Sequence, residues 1–111
     1  MTAARRKGTA AESAVVGWLR GHGEPGALRK PLAGHADEGD IANVADLTIQ
    51  VKACKDMRLA QWVDETKKQT ANGKTRFGVV FHKRRGKGDP GEWYATLPVS
   101  DFMLIYQASQ R

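Results

Sequence analysis

The stretch that most limits the fold is GDIANVADLTIQVKAC, residues 39–54. Leu47, Ile49 and Val51 alternate with Thr48, Gln50 and Lys52, the period-two pattern of a strand with one apolar and one chemical face. Asn43 to Asp46 carry turn chemistry, so the stretch reads as two strands joined by a tight turn. ALRKPLAG, just before it, reads as a further short strand. Downstream, TRFGVVFHKRR is apolar over most of its length and rich in Val and Phe, as expected of a central strand covered on both faces. GKGDPG joins it to a partner strand, EWYATL.

Helices bracket these strands. From Thr9, TAAESAVVGWLR places Ala11, Ala14, Val15, Trp18 and Leu19 on one arc and stops at GHGEPG. At about 100° per residue Glu12 falls inside the edge of that arc, where a carboxylate needs a partner. A second helix over Met57 to Ala71 shares a face among Leu59, Trp62, Val63, Thr66 and Thr70, turns Lys67 and Lys68 outward, and ends at Asn72-Gly73. Trp18 and Trp62 read as core anchors. Trp93 and Tyr94 alternate on their strand, so one packs inward and the other is free to face a partner. A last helix, SDFMLIYQASQ, takes Ser100 as its N-cap. The order is helix, three strands, helix, two strands, helix: an α/β chain. The loop KRRGKGDPG is the segment least disposed to local order, because glycine and like charges both oppose it.

A length of 111 residues fits one domain, 1–111, with a single modest core. Lysine and arginine outnumber acidic residues 18 to 12, and the resulting charge of +6 favours an anionic partner such as nucleic acid. A lone cysteine, Cys54, excludes an internal disulfide, and no cysteine or histidine pair has zinc-site spacing. The basic N-terminus leads into an amphipathic segment without an apolar signal core, and no run reaches the ~20 residues of a membrane helix. The chain therefore reads as cytoplasmic, with no membrane role and no small-molecule cofactor.

Three polar features line up along one edge: Glu12, Asp40, and Gln50-Val51-Lys52. Hydrolysis of a phosphodiester needs a hard cation, and hard cations select oxygen donors such as carboxylates, amide oxygens and main-chain carbonyls. Asp40 and Gln50 each supply one, and alternation puts Lys52 on the same face as Gln50, where an ammonium can orient water or stabilise charge on a phosphate. Asp46 shares that face but lies about 13 Å from Gln50 at ~3.3 Å per residue, and belongs to the turn. Asp37 and Glu38 compete with Asp40 if the strand starts earlier than Asp40. The basic residues form three clusters: Arg5, Arg6 and Lys7; Lys67, Lys68, Lys74 and Arg76; Lys83, Arg84, Arg85 and Lys87. Such clusters suit salt-sensitive, largely sequence-independent contacts to phosphates. Lys55 is a further candidate, and His35 reads as a loop histidine within reach of a phosphate backbone.

RRKGTAAESAVV, GDI and IQVK together resemble the PD-(D/E)xK nuclease superfamily, and within it the small archaeal-type and phage-type Holliday junction resolvases. The resemblance runs from Arg5 to about Tyr106. It implies a restriction-endonuclease-like core, a mixed five-stranded sheet flanked by helices, and a homodimer that cuts branched DNA using Mg2+, with Mn2+ as a substitute. Carried over by position, Asp40 is a direct metal ligand, Gln50 a second through its amide oxygen, and Val51 a third through its carbonyl. Glu12 is an outer or shared acidic ligand, Lys52 the catalytic lysine, and Arg5, Arg6, Lys7, Lys55, Lys68, Arg84 and Arg85 contact DNA. Gln50 departs from the Glu or Asp usual there. An amide removes one negative charge, so a weaker hold on the cation and a higher Mg2+ requirement are expected. Three other readings stand beside this one: a nicking or repair endonuclease of the same superfamily, a non-catalytic DNA-binding protein with the nuclease fold, and a basic structural protein.

Overall fold

A computed structural model describes residues 2–31 and 37–111. The elements are α1 (Ala3–Gly21), β1 (Leu28–Arg29), β2 (Ile41–Ala42), β3 (Leu47–Lys52), α2 (Leu59–Gly73), β4 (Phe77–His82), a 3-10 turn (Pro90–Glu92), β5 (Tyr94–Thr96) and α3 (Val99–Ser109). The strands form one sheet in chain order, β1-β2-β3-β4-β5. Only β3 and β4 run parallel, with Lys52 opposite His82; every other neighbour is antiparallel. The protein is thus α/β with a mixed five-stranded sheet.

Parallel neighbours cannot be joined by a hairpin, so the chain must cross over between β3 and β4, and α2 is that crossover. It packs on β3 and β4 from the face opposite α1. On the α1 side, Ala11, Val15, Val16 and Leu19 bury against Ile41, Ile49, Val51 and Val79, and Trp18, Phe81 and Trp93 close the margin. On the α2 side the strand residues are Thr48, Gln50, Val80 and His82, all buried. The chemical face expected for β3 is therefore covered, and only Lys52 at its end remains partly exposed. Burial is offset where these polar groups are bonded: Thr48 pairs with Thr75 at 2.6 Å, and His82 Nε2 with Thr96 Oγ1 at 2.7 Å, while His82 Nδ1 has no partner among the described residues.

The turn between β2 and β3 falls where its residues require. Asn43 and Asp46 both adopt left-handed φ, 67° and 64°, which Asn and Asp tolerate better than other non-glycine residues. Asp46 then accepts the main-chain N–H of Arg76 at 3.0 Å, fastening the start of β4 at the end of the sheet away from Lys52.

Several boundaries differ from those read in the sequence. α1 begins at Ala3 rather than Thr9, because Thr2 caps it by accepting the Arg5 N–H at 3.1 Å and Ala, Arg and Lys all favour helix. α2 spans Leu59–Gly73 rather than Met57 to Ala71. Asn72 and Gly73 stay helical because Lys74 takes the left-handed position that ends the helix, and the Asn72 amide donates to the Asp37 carbonyl at 2.8 Å. Leu59, expected on the buried face, is 39 % exposed, and Gln69 is buried instead. α3 starts at Val99 with Pro98 in the cap position, so Ser100 is not its cap. Of ALRKPLAG, only Leu28–Arg29 form a strand, and residues 32–34 lie outside the described part. The KRRGKGDPG loop is closed by the Trp93 indole N–H donating to the Lys87 carbonyl at 2.8 Å and by Asp89 accepting the Gly91 N–H at 3.0 Å. Tyr94 is 45 % exposed, while Trp93 packs at the core margin. Among the described residues no helix is long and apolar enough to cross a membrane.

Gly78 sets how closely α2 approaches the sheet, since a Cβ there would meet the Thr66 methyl at 2.9 Å and the Thr70 hydroxyl closer still. Gly78→Ala should destabilise the fold by about 1–3 kcal/mol, the usual cost of overpacking, read as a lower urea midpoint at unchanged slope.

Candidate active site

β2 touches β3 only opposite Ile49, so from Val51 onward the near edge of β3 has no strand beside it among the described residues. Asp40 fills that notch. Its main-chain N–H donates to the Ile49 carbonyl at 2.9 Å, and its carboxylate accepts the Val51 N–H at 2.7 Å, taking over the position a longer β2 would have occupied. Gly39 makes the approach possible: its φ is 100°, and a Cβ would lie 2.9 Å from the Thr48 methyl and 3.1 Å from the Ile49 carbonyl oxygen. Along a strand the N–H and C=O of one residue face the same side, so the Val51 carbonyl also opens toward Asp40.

Around this notch lies an open hollow of about 500 Å³, lined by Glu12, Asp37, Asp40, Gln50, Val51, Lys52, Glu65, Lys68, Gln69 and Asn72. Every catalytic and metal-ligating candidate read from the sequence is on it: Glu12 from α1, Asp40 before β2, and Gln50, Val51 and Lys52 from β3. α2 contributes what the sequence reading passed over. Glu65 accepts hydrogen bonds from Gln50 Nε2 at 3.0 Å, Gln61 Nε2 at 3.1 Å and Lys52 Nζ at 3.4 Å. Gln69 donates to the Asp37 carboxylate at 2.7 Å, so Asp37 joins Asp40 on the hollow.

Gln50 is not placed as a simple substitute for a carboxylate. The Thr66 hydroxyl lies 2.6 Å from its amide oxygen and 2.7 Å from the Trp62 carbonyl, and the amide nitrogen faces Glu65. Gln50 thus turns its oxygen into α2 and its N–H2 toward Glu65, whose carboxylate stands beside it on the hollow. The sequence carries no local signal for this, since Glu65 lies on the polar side of a helix pattern and reads as a solvated carboxylate.

Electrostatics separate the acids. Burial pushes the Asp40 carboxyl up to about 6; the Val51 N–H opposes this, Glu12 and Asp37 add to it, and Lys52 lowers it. The Glu65 carboxyl is held below its ordinary range, first by the Gln50 hydrogen bond and then by Gln61 and Lys52. Glu12 is paired with Arg29 at 3.3 Å. Four carboxylates face two ammonium groups around the hollow, in a chain whose overall charge is +6. Among the described residues no three His, Cys, Asp or Glu side chains converge closely enough to enclose a metal by themselves. The hollow offers a set of oxygen donors, among them Asp40, Glu65 and the Val51 carbonyl. It suits a cation such as Mg2+, which binds through one or two carboxylates and keeps several waters.

The DNA-contact candidates fall in three places. Arg5, Arg6 and Lys7 are exposed on the first turns of α1, which carries Glu12 further along. Lys68 lines the hollow itself. Lys55 follows β3, and Arg84 and Arg85 follow β4, so these leave from the same end of the parallel pair as Lys52. There the Arg84 guanidinium lies over the Tyr94 ring and the Lys83 ammonium over the Trp93 ring, each at 5.9 Å. His35 lies outside the described residues. Comparison with models of protein families, with curated proteins and with solved structures finds no match for the chain.

Because the Asp40 carboxyl is raised above its unfolded value of 3.8, its ionisation opposes folding: stability falls as pH rises from about 4 to about 6 and then levels. Asp40→Asn keeps an acceptor for the Val51 N–H without the charge. It should therefore raise stability at pH 8 by about 1–3 kcal/mol, with the gain vanishing below pH ~4, in urea unfolding followed across that range.

Proposed function

We propose that this chain is a divalent-cation-dependent DNA endonuclease of the PD-(D/E)xK type, acting on branched DNA as the small resolvases do. One observation carries the reading: Asp40, the Val51 peptide, Glu65 and Lys52 share a single open hollow at the bare edge of the central strand. The element order and the single parallel pair beside an antiparallel meander support a restriction-endonuclease-like core. Branched DNA as the substrate class follows from the resemblance of RRKGTAAESAVV, GDI and IQVK to the resolvases.

In this reading Asp40, Glu65 and the Val51 carbonyl would hold Mg2+ or Mn2+, with Glu12 as an outer acid. The ion, when bound, polarises the phosphodiester and lowers the pKa of attacking water. Lys52 places an ammonium beside Glu65, where it donates to a phosphate oxygen and offsets the charge that develops on it. Gln50 and Gln61 hold the Glu65 carboxylate in one orientation. Asp40 is the acid whose charge the protein itself balances least, so a cation there relieves a cost of folding. The exposed basic clusters bind the backbone on either side, which makes affinity fall steeply with salt.

The test uses labelled four-way, flap and linear duplex DNA with Mg2+ or Mn2+. Paired nicks in the junction are expected from the native chain. Asp40→Asn, Lys52→Ala and Glu65→Gln should each lower cleavage by about 100-fold or more while junction binding persists, as when a group acting mainly in the transition state is removed. Exchange of the charge, Glu65→Gln with Gln50→Glu, should recover part of the loss. A native chain that binds junctions but cuts none of the three substrates in either metal is a DNA-binding protein on a nuclease fold, and the endonuclease reading fails.

A further inference from the structure

The row of residues that ends β3 continues across the sheet. Lys52 stands opposite His82, and His82 opposite Tyr94, so three side chains on three strands share one face at one border. Adjacent strands lie about 4.8 Å apart, which puts Tyr94 roughly 10 Å from Lys52 and the hollow. The middle of the row is closed, because His82 is buried and its ring lies 5.7 Å from that of Trp62. Its far end is open. α2 packs on β3 and β4, and α3, which follows β5, encloses none of its own side chains, so Tyr94 stays exposed.

Tyr94 is propped from one side and roofed loosely from another. The His82 ring meets it at 5.5 Å, and the exposed Arg84 guanidinium lies over its ring at 5.9 Å. Stacked planar groups sit about 3.4 Å apart, so a ring, a planar guest and a guanidinium in one stack span about 7 Å. The observed 5.9 Å is too wide for direct stacking and opens to the three-layer spacing when Arg84 moves by about an ångström. Arg84 also leaves from beside the hollow, since the Lys83 N–H donates to the Lys52 carbonyl at 2.9 Å. Trp93 differs from its neighbour: it packs at the core margin, and its indole N–H is held by the Lys87 carbonyl.

We propose that Tyr94 and Arg84 form a stacking slot for an unpaired base of the DNA strand whose phosphate lies at Lys52. A base has the flat π-face that both walls of the slot fit, and a base freed from its duplex gains most by stacking on an aromatic ring. Charge selects the same guest. Lys83, Arg84 and Arg85 are consecutive and exposed, and Glu92 on the same loop is engaged by Lys87 at 4.0 Å, so phosphates on either side of the base meet cations. An acidic peptide answers the charge but brings no planar group to the slot. The slot lies outside the hollow and therefore selects substrate without entering the reaction: it holds DNA whose pairing is interrupted, at a branch or beside a single-stranded tail. Continuous duplex, whose bases stack on one another, gains nothing there. The inference rests on the endonuclease reading for the strand at Lys52, but occupation of the slot needs neither metal nor cleavage.

The full chain, in EDTA, is titrated into a short oligothymidylate carrying one fluorescent aminopurine base and, separately, into a duplex of the same length. Binding of the single strand should quench the aminopurine. Tyr94→Ala should abolish the quenching and weaken single-strand binding by about tenfold or more, with duplex affinity unchanged within about twofold and the far-ultraviolet circular dichroism retained. Tyr94→Phe should restore both, and Arg84→Lys should keep the salt dependence while reducing the quenching, since the charge remains and the plane is lost. A native chain that binds the single strand without quenching, a Tyr94→Ala chain that loses single strand and duplex alike, or a polyglutamate peptide that competes as well as oligothymidylate would each overturn the inference. Quenching that depends on Tyr94 in a chain that cuts no DNA upholds the slot and sinks the nuclease reading alone; junction cutting without quenching does the reverse.

Discussion

Gln50 is 4 % exposed on the central strand, and an amide taken out of water needs partners at both ends. Thr66 and Glu65 are those partners, adjacent on α2, and together they hold the helix against the sheet in one register. The rest of the site inherits that register. With Glu65 beside Gln50, the same helix brings Gln69 to Asp37 and Asn72 to the Asp37 carbonyl one and two turns later. The loop before β2 is thereby drawn in, and Asp40 enters the notch beside Val51. A neutral side chain on β3 thus organises a ring of acids that it does not itself join.

The fold was legible where it depended on neighbours in the chain. The alternation in Leu47–Lys52 and the turn residues Asn43 and Asp46 carry their conformations locally, and the strands and turn fall where those residues put them. Local signals also placed Asp40 and Lys52 near one another, because a strand displays residues of known spacing, and both line the hollow. Glu65 was illegible for the opposite reason. On a helix rich in Lys, Gln and Asp it looks like any solvated carboxylate, and its place at the hollow exists only because two parallel strands force the helix across them. The same crossover explains Thr48 and Gln50, whose alternation reads as an open polar face until the covering helix is in view. The bareness of α3 could not be read from its composition either, since an apolar run looks the same whether or not its own chain covers it.

The acids around the hollow are deliberately unequal in their support. Glu65 gathers three donors and is held ionised. Asp40 receives one main-chain N–H and is surrounded by burial and like charge, so its ionised form is costly in the isolated chain. That strain is carried by the fold, and on the proposed reading a bound cation offsets it. The basic surface outside the hollow does not relieve this strain, because its charges are solvated and screened beyond roughly 10 Å.

β3 and β4 end side by side, and the chain leaves both from the same border of the sheet, toward Lys55 in one case and Lys83 to Arg85 in the other. The segment after β4 is tied back to the core through Trp93, whose indole donates to the Lys87 carbonyl, while Lys55, Arg84 and Arg85 stay exposed. Charge changes at Lys55 or at Lys83 to Arg85 alter that border without touching the hydrogen bonds of Gln50. Charge at the border and the geometry of the hollow are thus set by separate residues of the chain, and a change in one leaves the other standing.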